Sequence, residues 1–163
     1  MPNSAVSNTG PIIHLNEINL TSSLNIFQKV SIPKEVEKEL SKKQISVPKN
    51  VEVKELNSES KDTVKILTNQ HNLDLGESAA ISLAVQEKAD YFLTDDLDAR
   101  EVAKYYNIEV HGSIGIILRN LRNKVINRKE TIDYILAMKS KSSLFITRDL
   151  IDEVLDSIKD FKH

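Results

Sequence analysis

Short apolar runs of strand-forming residues alternate along this chain with segments of helical periodicity, and that alternation leaves few folds open. The strand candidates are residues 5–7, 30–32, 51–53, 91–93 and 108–110. A parallel pair of strands needs a long crossover, which an intervening helix supplies, so strands that alternate with helices pair in parallel. The expected fold is α/β, a three-layer α/β/α arrangement whose central, mostly parallel sheet carries helices on both faces. Sheets of this kind bind ligands outside the carboxyl ends of their strands, so the residues just after each strand are the first candidates for function.

The helical segments support this layout. After the first strand, Asn8-Thr9-Gly10-Pro11 leads into Ile12, Ile13, Leu15 and Ile18 at helical spacing, with Pro11 in the first turn, where its missing N–H costs nothing. Leu24, Ile26 and Phe27 suggest a short helix, and Pro33 opens a charged one through Val36 and Leu40. A polar loop over 42–50 is followed, after the third strand, by a helix over 58–71 and an alanine-rich helix from Glu77 to about Lys88. Further helices are expected over 96–106, 113–124 and 129–139, and from Thr147, where Leu150, Ile151, Val154, Leu155, Ile158 and Phe161 form one stripe. No repeat or long linker divides the 163 residues, so a single domain over 1–163 is expected.

Composition excludes several chemistries. The chain has no cysteine, hence no disulfide, zinc–thiolate site or thiol nucleophile, and the cytoplasm is the simplest compartment for it. Met1-Pro2-Asn3-Ser4-Ala5-Val6 lacks the pattern of a secretory leader, and no apolar run is long enough to span a membrane. With Gly10, Gly76, Gly112 and Gly115 the only glycines, neither a P-loop nor a dinucleotide fingerprint can be drawn. The formal net charge of -2 argues against a uniformly basic nucleic-acid coat.

Two acidic segments stand out: Glu77 in Leu75-Gly76-Glu77-Ser78, and Asp96 in Thr94-Asp95-Asp96-Leu97-Asp98. One opens a helix and the other follows a strand, so the fold can bring both to one crevice. Clustered carboxylates repel unless a cation lies between them, which points to a hard divalent ion such as Mg²⁺ or Mn²⁺. Such an ion suits phosphodiester hydrolysis. Glu39 is a third candidate, although Lys34, Glu35, Glu37 and Lys38 around it also fit a solvated helix. Aspartate favours helix N-caps, so one of Asp95, Asp96 and Asp98 is expected to be a cap; three exceed what capping requires. Arg100 lies near enough in sequence to offset part of their charge.

Arg119, Arg122, Lys124, Arg128 and Lys129 form a basic cluster. If it faces the carboxylates it can track an RNA backbone; otherwise it is a solvated helix end favoured by the helix dipole. His14, His71, His111 and His163 show no metal-ligand spacing and are read as surface or capping residues.

Asn8-Thr9-Gly10-Pro11 after a first strand, Glu39, Leu75-Gly76-Glu77 before an alanine-rich helix, Thr94-Asp95-Asp96 after a strand and Val110-His111-Gly112-Ser113-Ile114-Gly115 before another helix occur in an order that resembles the PIN-domain family, which includes VapC-like toxins. The resemblance implies a PIN-like α/β/α fold and a metal-dependent ribonuclease whose acidic positions map to Asn8, Glu39, Glu77 and Asp96. It places Asp98 at the edge of the site and lets Thr9 or Thr94 hydrogen-bond a ligand or water. It further implies RNA hydrolysis by metal-activated water, a small antitoxin partner and dimer formation. The departure is Asn8, where the family usually has aspartate: an amide offers a carbonyl oxygen but no charge, which lowers metal affinity. The alternative it leaves open is a degenerate PIN module that binds RNA or protein without cutting. A haloacid-dehalogenase type of phosphatase, suggested by Asp96-Leu97-Asp98, is disfavoured because Arg100 stands where that signature needs Thr or Val.

Overall fold

The computed structural model describes residues 3–161. His163 and the Met1-Pro2 end of the chain lie outside the described residues. Five strands, β1 (Ser4–Ser7), β2 (Lys29–Pro33), β3 (Val51–Lys54), β4 (Tyr91–Leu93) and β5 (Glu109–His111), form one sheet in the order β3-β2-β1-β4-β5. Every pairing is parallel. The helices are α1 (Thr9–Glu17), α2 (Lys34–Lys42), α3 (Ser58–Gln70), α4 (Leu75–Gln86), α5 (Leu97–Tyr105), α6 (Ser113–Arg122), α7 (Arg128–Lys141) and α8 (Arg148–Asp160), with a 3₁₀ turn over Thr21–Ile26. They flank the sheet on both faces, as the α/β/α expectation requires.

The core lies between these layers. Val6, Ile32 and Phe92 project from the strands, and Ile12, Leu15, Leu40, Ile81, Leu83, Ile116 and Ile117 come from the helices over them, all buried. Helix α4 is buried over almost its whole length from Gly76 to Ala84. Its Ser78, Ala79 and Ala80 are small, so it lies close against β1, β2 and α3. On α8, Ile151, Val154 and Ile158 are buried where that helix packs on α7.

From β1 the chain winds outward through β2 to β3, then returns by α3 and α4 to β4 on the other side of β1. The strand order therefore reverses between β1 and β4, and the connections leaving these neighbours diverge to leave a crevice at their carboxyl ends. Asn8 follows β1 and Thr94-Asp95-Asp96 follow β4, so both motifs open on that crevice. The Asn8 backbone N–H donates to the Leu93 carbonyl across it at 2.8 Å.

Two local boundaries differ from expectation for identifiable reasons. Helix α4 starts at Leu75 rather than Glu77 because Asp74 caps it and pairs with Glu77 in a reciprocal capping box. The segment at Leu24 is 3₁₀, and Ser23 turns its hydroxyl back onto the Leu20 carbonyl at 2.7 Å. Among the described residues no helix is long and apolar enough to cross a membrane.

Candidate active site

The crevice is a cleft of about 410 Å³ lined by Asn8, Thr9, Gly10, Ile13 and His14 from the start of α1, Glu39 and Lys43 from the end of α2, Asp74 and Glu77 from the start of α4, and Asp95 and Asp96 after β4. Ser143, Leu144 and Phe145, from the loop between α7 and α8, close one side.

Each carboxylate is set by a local interaction. Glu39 leans across from α2, where Thr9 Oγ1 donates to its Oε2 at 2.9 Å. Its other oxygen rests on Gly76, where a Cβ would stand 1.8 Å from Oε1. The Glu39 carboxyl can take this position only because the residue before Glu77 is glycine. Glu77 accepts from the Asp74 N–H at 3.0 Å, and its own N–H donates to Asp74 Oδ1 at 2.7 Å. Burial, aided by Asp96 and Asp74 beside it, pushes the Glu77 carboxyl up to about 8. Asp96 caps α5, its Oδ2 accepting from the Ala99 N–H at 2.8 Å.

The amide at position 8 is similarly committed. Asn8 Oδ1 accepts from the Thr9 N–H at 2.9 Å and Nδ2 donates to Thr94 Oγ1 at 3.2 Å. Thr94 Oγ1 also accepts from the Asp96 N–H at 3.1 Å. Asn8 and the buried Thr94 therefore set the turn that presents Asp96. Asp95, in the same cleft wall, is engaged by other partners: it accepts from Ser113 N and Oγ at 2.7 and 2.5 Å and pairs with His14 Nδ1 at 2.6 Å. It holds the start of α6 and the His14 ring.

The sequence profile of the PIN domain matches residues 4–160. The chain belongs to the PIN-domain family. PIN domains are in general nucleases. Along 98% of this chain and 97% of the other, the structure also superposes on a PilT N-terminus domain protein from the hyperthermophilic archaeon Sulfolobus solfataricus P2, with a TM-score of 0.51 and 18% identity, a likeness of fold. No curated protein matches the chain.

In this PIN domain the donor chemistry fits a hard divalent cation at Glu77 and Asp96. These two carboxyls lie close enough that Asp96 helps to hold the Glu77 carboxyl above its ordinary range, and a cation between them would relieve that repulsion. Among the described residues no set of three or more His, Asp or Glu is arranged around one point to hold a metal, because Glu39 is turned to Thr9 and Asp95 to Ser113 and His14. A pair is nonetheless a common Mg²⁺ donor set, with waters and substrate phosphate completing the shell.

The cleft brings together Asn8, Thr9, Glu39, Glu77, Asp95 and Asp96 from the expected residues. Asp98, exposed in the first turn of α5, does not line it, and Arg100 lines a neighbouring groove. The basic cluster is also elsewhere. Helix α6 starts at Ser113 beside Asp95 and runs away from it, which puts Arg119 and Arg122 roughly 9–14 Å along the axis at 1.5 Å per residue. There the Arg119 guanidinium stacks on Tyr91 and Phe27, 4.5 and 5.7 Å from the ring centroids. Arg128 donates to the Phe161 carbonyl at the end of α8, and Lys124, just after α6, and Lys129, in the first turn of α7, are exposed. The cation that does line the cleft is Lys43.

Sequence reasoning missed His14, Asp74, Lys43 and the Ser143–Phe145 segment. Asp74 left a signal, since Asp-Leu-Gly-Glu is a capping-box spacing. His14 stands four residues after Gly10, on the same helix face, but nothing local announces Asp95 as its partner.

Proposed function

We propose that this PIN domain is a Mg²⁺- or Mn²⁺-dependent endoribonuclease that hydrolyses RNA phosphodiesters, and that it acts in the cytoplasm as the toxin of a toxin–antitoxin pair. The observation that carries the reading is the juxtaposition of Glu77 and Asp96 at the topological switch point, with the Glu77 carboxyl pushed up to about 8 by burial and by Asp96. Two carboxyls held side by side by helix-end hydrogen bonds, at some cost in repulsion, fit a metal site better than a structural cap.

Glu77 and Asp96 would hold the ion. When bound, it neutralises the two carboxylates, polarises a phosphoryl oxygen and makes water a better nucleophile at neutral pH. The protein supplies the rest. The capping box fixes Glu77, Thr94 and Asn8 fix the turn at Asp96, and Glu39, tied to Thr9, provides a third negative wall that orders water. Lys43 at the rim attracts the RNA backbone. The toxin role adds a small antitoxin protein and a second copy of the chain to the expected partners.

The test is cleavage of structured and single-stranded RNA by purified protein in Mn²⁺. Activity abolished by Glu77→Gln and by Asp96→Asn supports the ribonuclease. A second reading, a degenerate module that binds RNA or protein without cutting, is favoured by one observation: Asn8 brings no charge, and its carbonyl oxygen is already engaged by the Thr9 N–H. Metal-independent RNA binding without cleavage supports that module.

A further inference from the structure

A second groove of about 560 Å³ opens beside the cleft and shares Asp95, Leu144 and Phe145 with it. Its apolar walls include Leu97, Phe145 and Leu150, which are 74%, 86% and 43% exposed. Polar groups line it as well. The Arg100 guanidinium lies against Gly112, where a Cβ would stand 3.2 Å from it, and Arg100 makes no ion pair among the described residues. Arg100 Nε and His111 Nε2 are buried with no hydrogen-bond partner in the protein.

The exposure of Phe145 is not that of a loose loop. Just before it, Ser143 N and Oγ both donate to Glu17 Oε1 at 2.9 Å. Just after it, Ile146 is buried, and its carbonyl accepts from the Lys139 ammonium. The loop is pinned on both sides of a ring that faces solvent, so the ring is presented to a partner at little further cost in ordering.

We infer that this groove is a base-binding subsite, in which an unpaired RNA base next to the scissile phosphate stacks on Phe145 between Leu97 and Leu150, with its polar edge toward Arg100 and His111. The inference rests on the ribonuclease reading and deepens it, because it makes single-stranded RNA the substrate class. Continuity decides the occupant. A strand with one phosphate at Glu77 and Asp96 crosses Asp95 and Leu144 directly into the groove, and the Arg100 guanidinium in its wall, which makes no ion pair among the described residues, suits the ring nitrogens and carbonyl oxygens of a base next to an anionic backbone. Every base has a stacking face, so the subsite selects unpaired nucleotides more than a particular sequence.

The test measures binding of a short single-stranded RNA carrying 2-aminopurine, with Ca²⁺ in place of Mn²⁺ so that binding is read without turnover. The native protein is expected to quench the fluorescence, Phe145→Ala to weaken binding about tenfold, and Phe145→Trp to retain it. A strand of equal length with abasic positions is expected to bind native protein and Phe145→Ala alike. Because Phe145 is exposed, its removal leaves the core intact. Unchanged affinity in Phe145→Ala, or an equal loss on the abasic strand, overturns the proposal and assigns the groove to an apolar side chain of a protein partner. The same preparations assayed in Mn²⁺ separate the two levels. Cleavage without quenching removes the base subsite alone, whereas native protein that neither binds nor cuts RNA removes the ribonuclease reading and the subsite with it.

Discussion

Gly76 makes the space that the Glu39 carboxyl occupies: a methyl group at position 76 would lie 1.8 Å from Glu39 Oε1. The glycine of Leu75-Gly76-Glu77 and the glutamate of α2 are therefore one device, built from two helices that meet at the sheet edge.

Gly76→Ala tests this. Residue 76 has ordinary helical geometry and alanine is the better helix former by about 1 kcal/mol, while the obstruction is the end of a flexible side chain, so the melting temperature should hold or rise slightly. Glu39 should swing off Thr9, and RNA cleavage should fall about tenfold or more. In a Glu39→Ala background the same substitution should have no further effect on kcat/KM, and additive losses would show that the two residues act separately.

Charge at Glu77 gives the metal-free protein a pH signature. Its folded-state carboxyl is raised from 4.5 to about 8, so the stability it confers is fully present below the unfolded value and is lost as pH rises through about 8. The melting temperature of the native protein in EDTA should decline over that window, and Glu77→Gln, whose amide oxygen can still accept from Asp74 N–H, should flatten the decline. Parallel profiles for the two proteins would show that Glu77 is not the group concerned.

Asp95 and Asp96 are neighbours with different work. Asp95→Ala removes the hydrogen bonds to Ser113 and His14 and should cost about 2–3 kcal/mol in urea unfolding. Asp96→Asn keeps an oxygen for the Ala99 N–H, so it should stay within about 1 kcal/mol of native while cleavage is lost. Equal stability losses in the two variants would contradict the division.

Much of this was open to reading because it is local. The periodicity that marks strands and helices repeats within a few residues, so the alternation of Tyr91–Leu93 with its flanking helices already placed Asp95 and Asp96 at a strand end. Which acid would be left free in the cleft was not legible, since Asp95 is engaged by Ser113 and His14 through tertiary contacts. The basic cluster illustrates the same limit. Sequence shows five cations close together, but the end of α6 that carries Arg119 points away from the carboxylates. The groove escaped notice because Leu97, His111 and Phe145 come from a helix start, a strand end and a loop far apart in sequence.

RNA binding should accordingly depend on Lys43 rather than on that cluster. Lys43→Ala should weaken affinity and lower the salt slope by about 1, while Arg122→Ala, Lys124→Ala and Lys129→Ala should each stay within about twofold of native. The reverse ranking in a filter-binding series at several salt concentrations would return the cluster to the RNA path.

The most direct measurement is the anomalous difference map of a crystal soaked in Mn²⁺. A peak between the Glu77 and Asp96 carboxylates, about 2.1 Å from an oxygen of each, is the predicted result. A map with no peak at that pair, or with Mn²⁺ bound only elsewhere, would contradict the assignment of the cleft as a metal-dependent nuclease site.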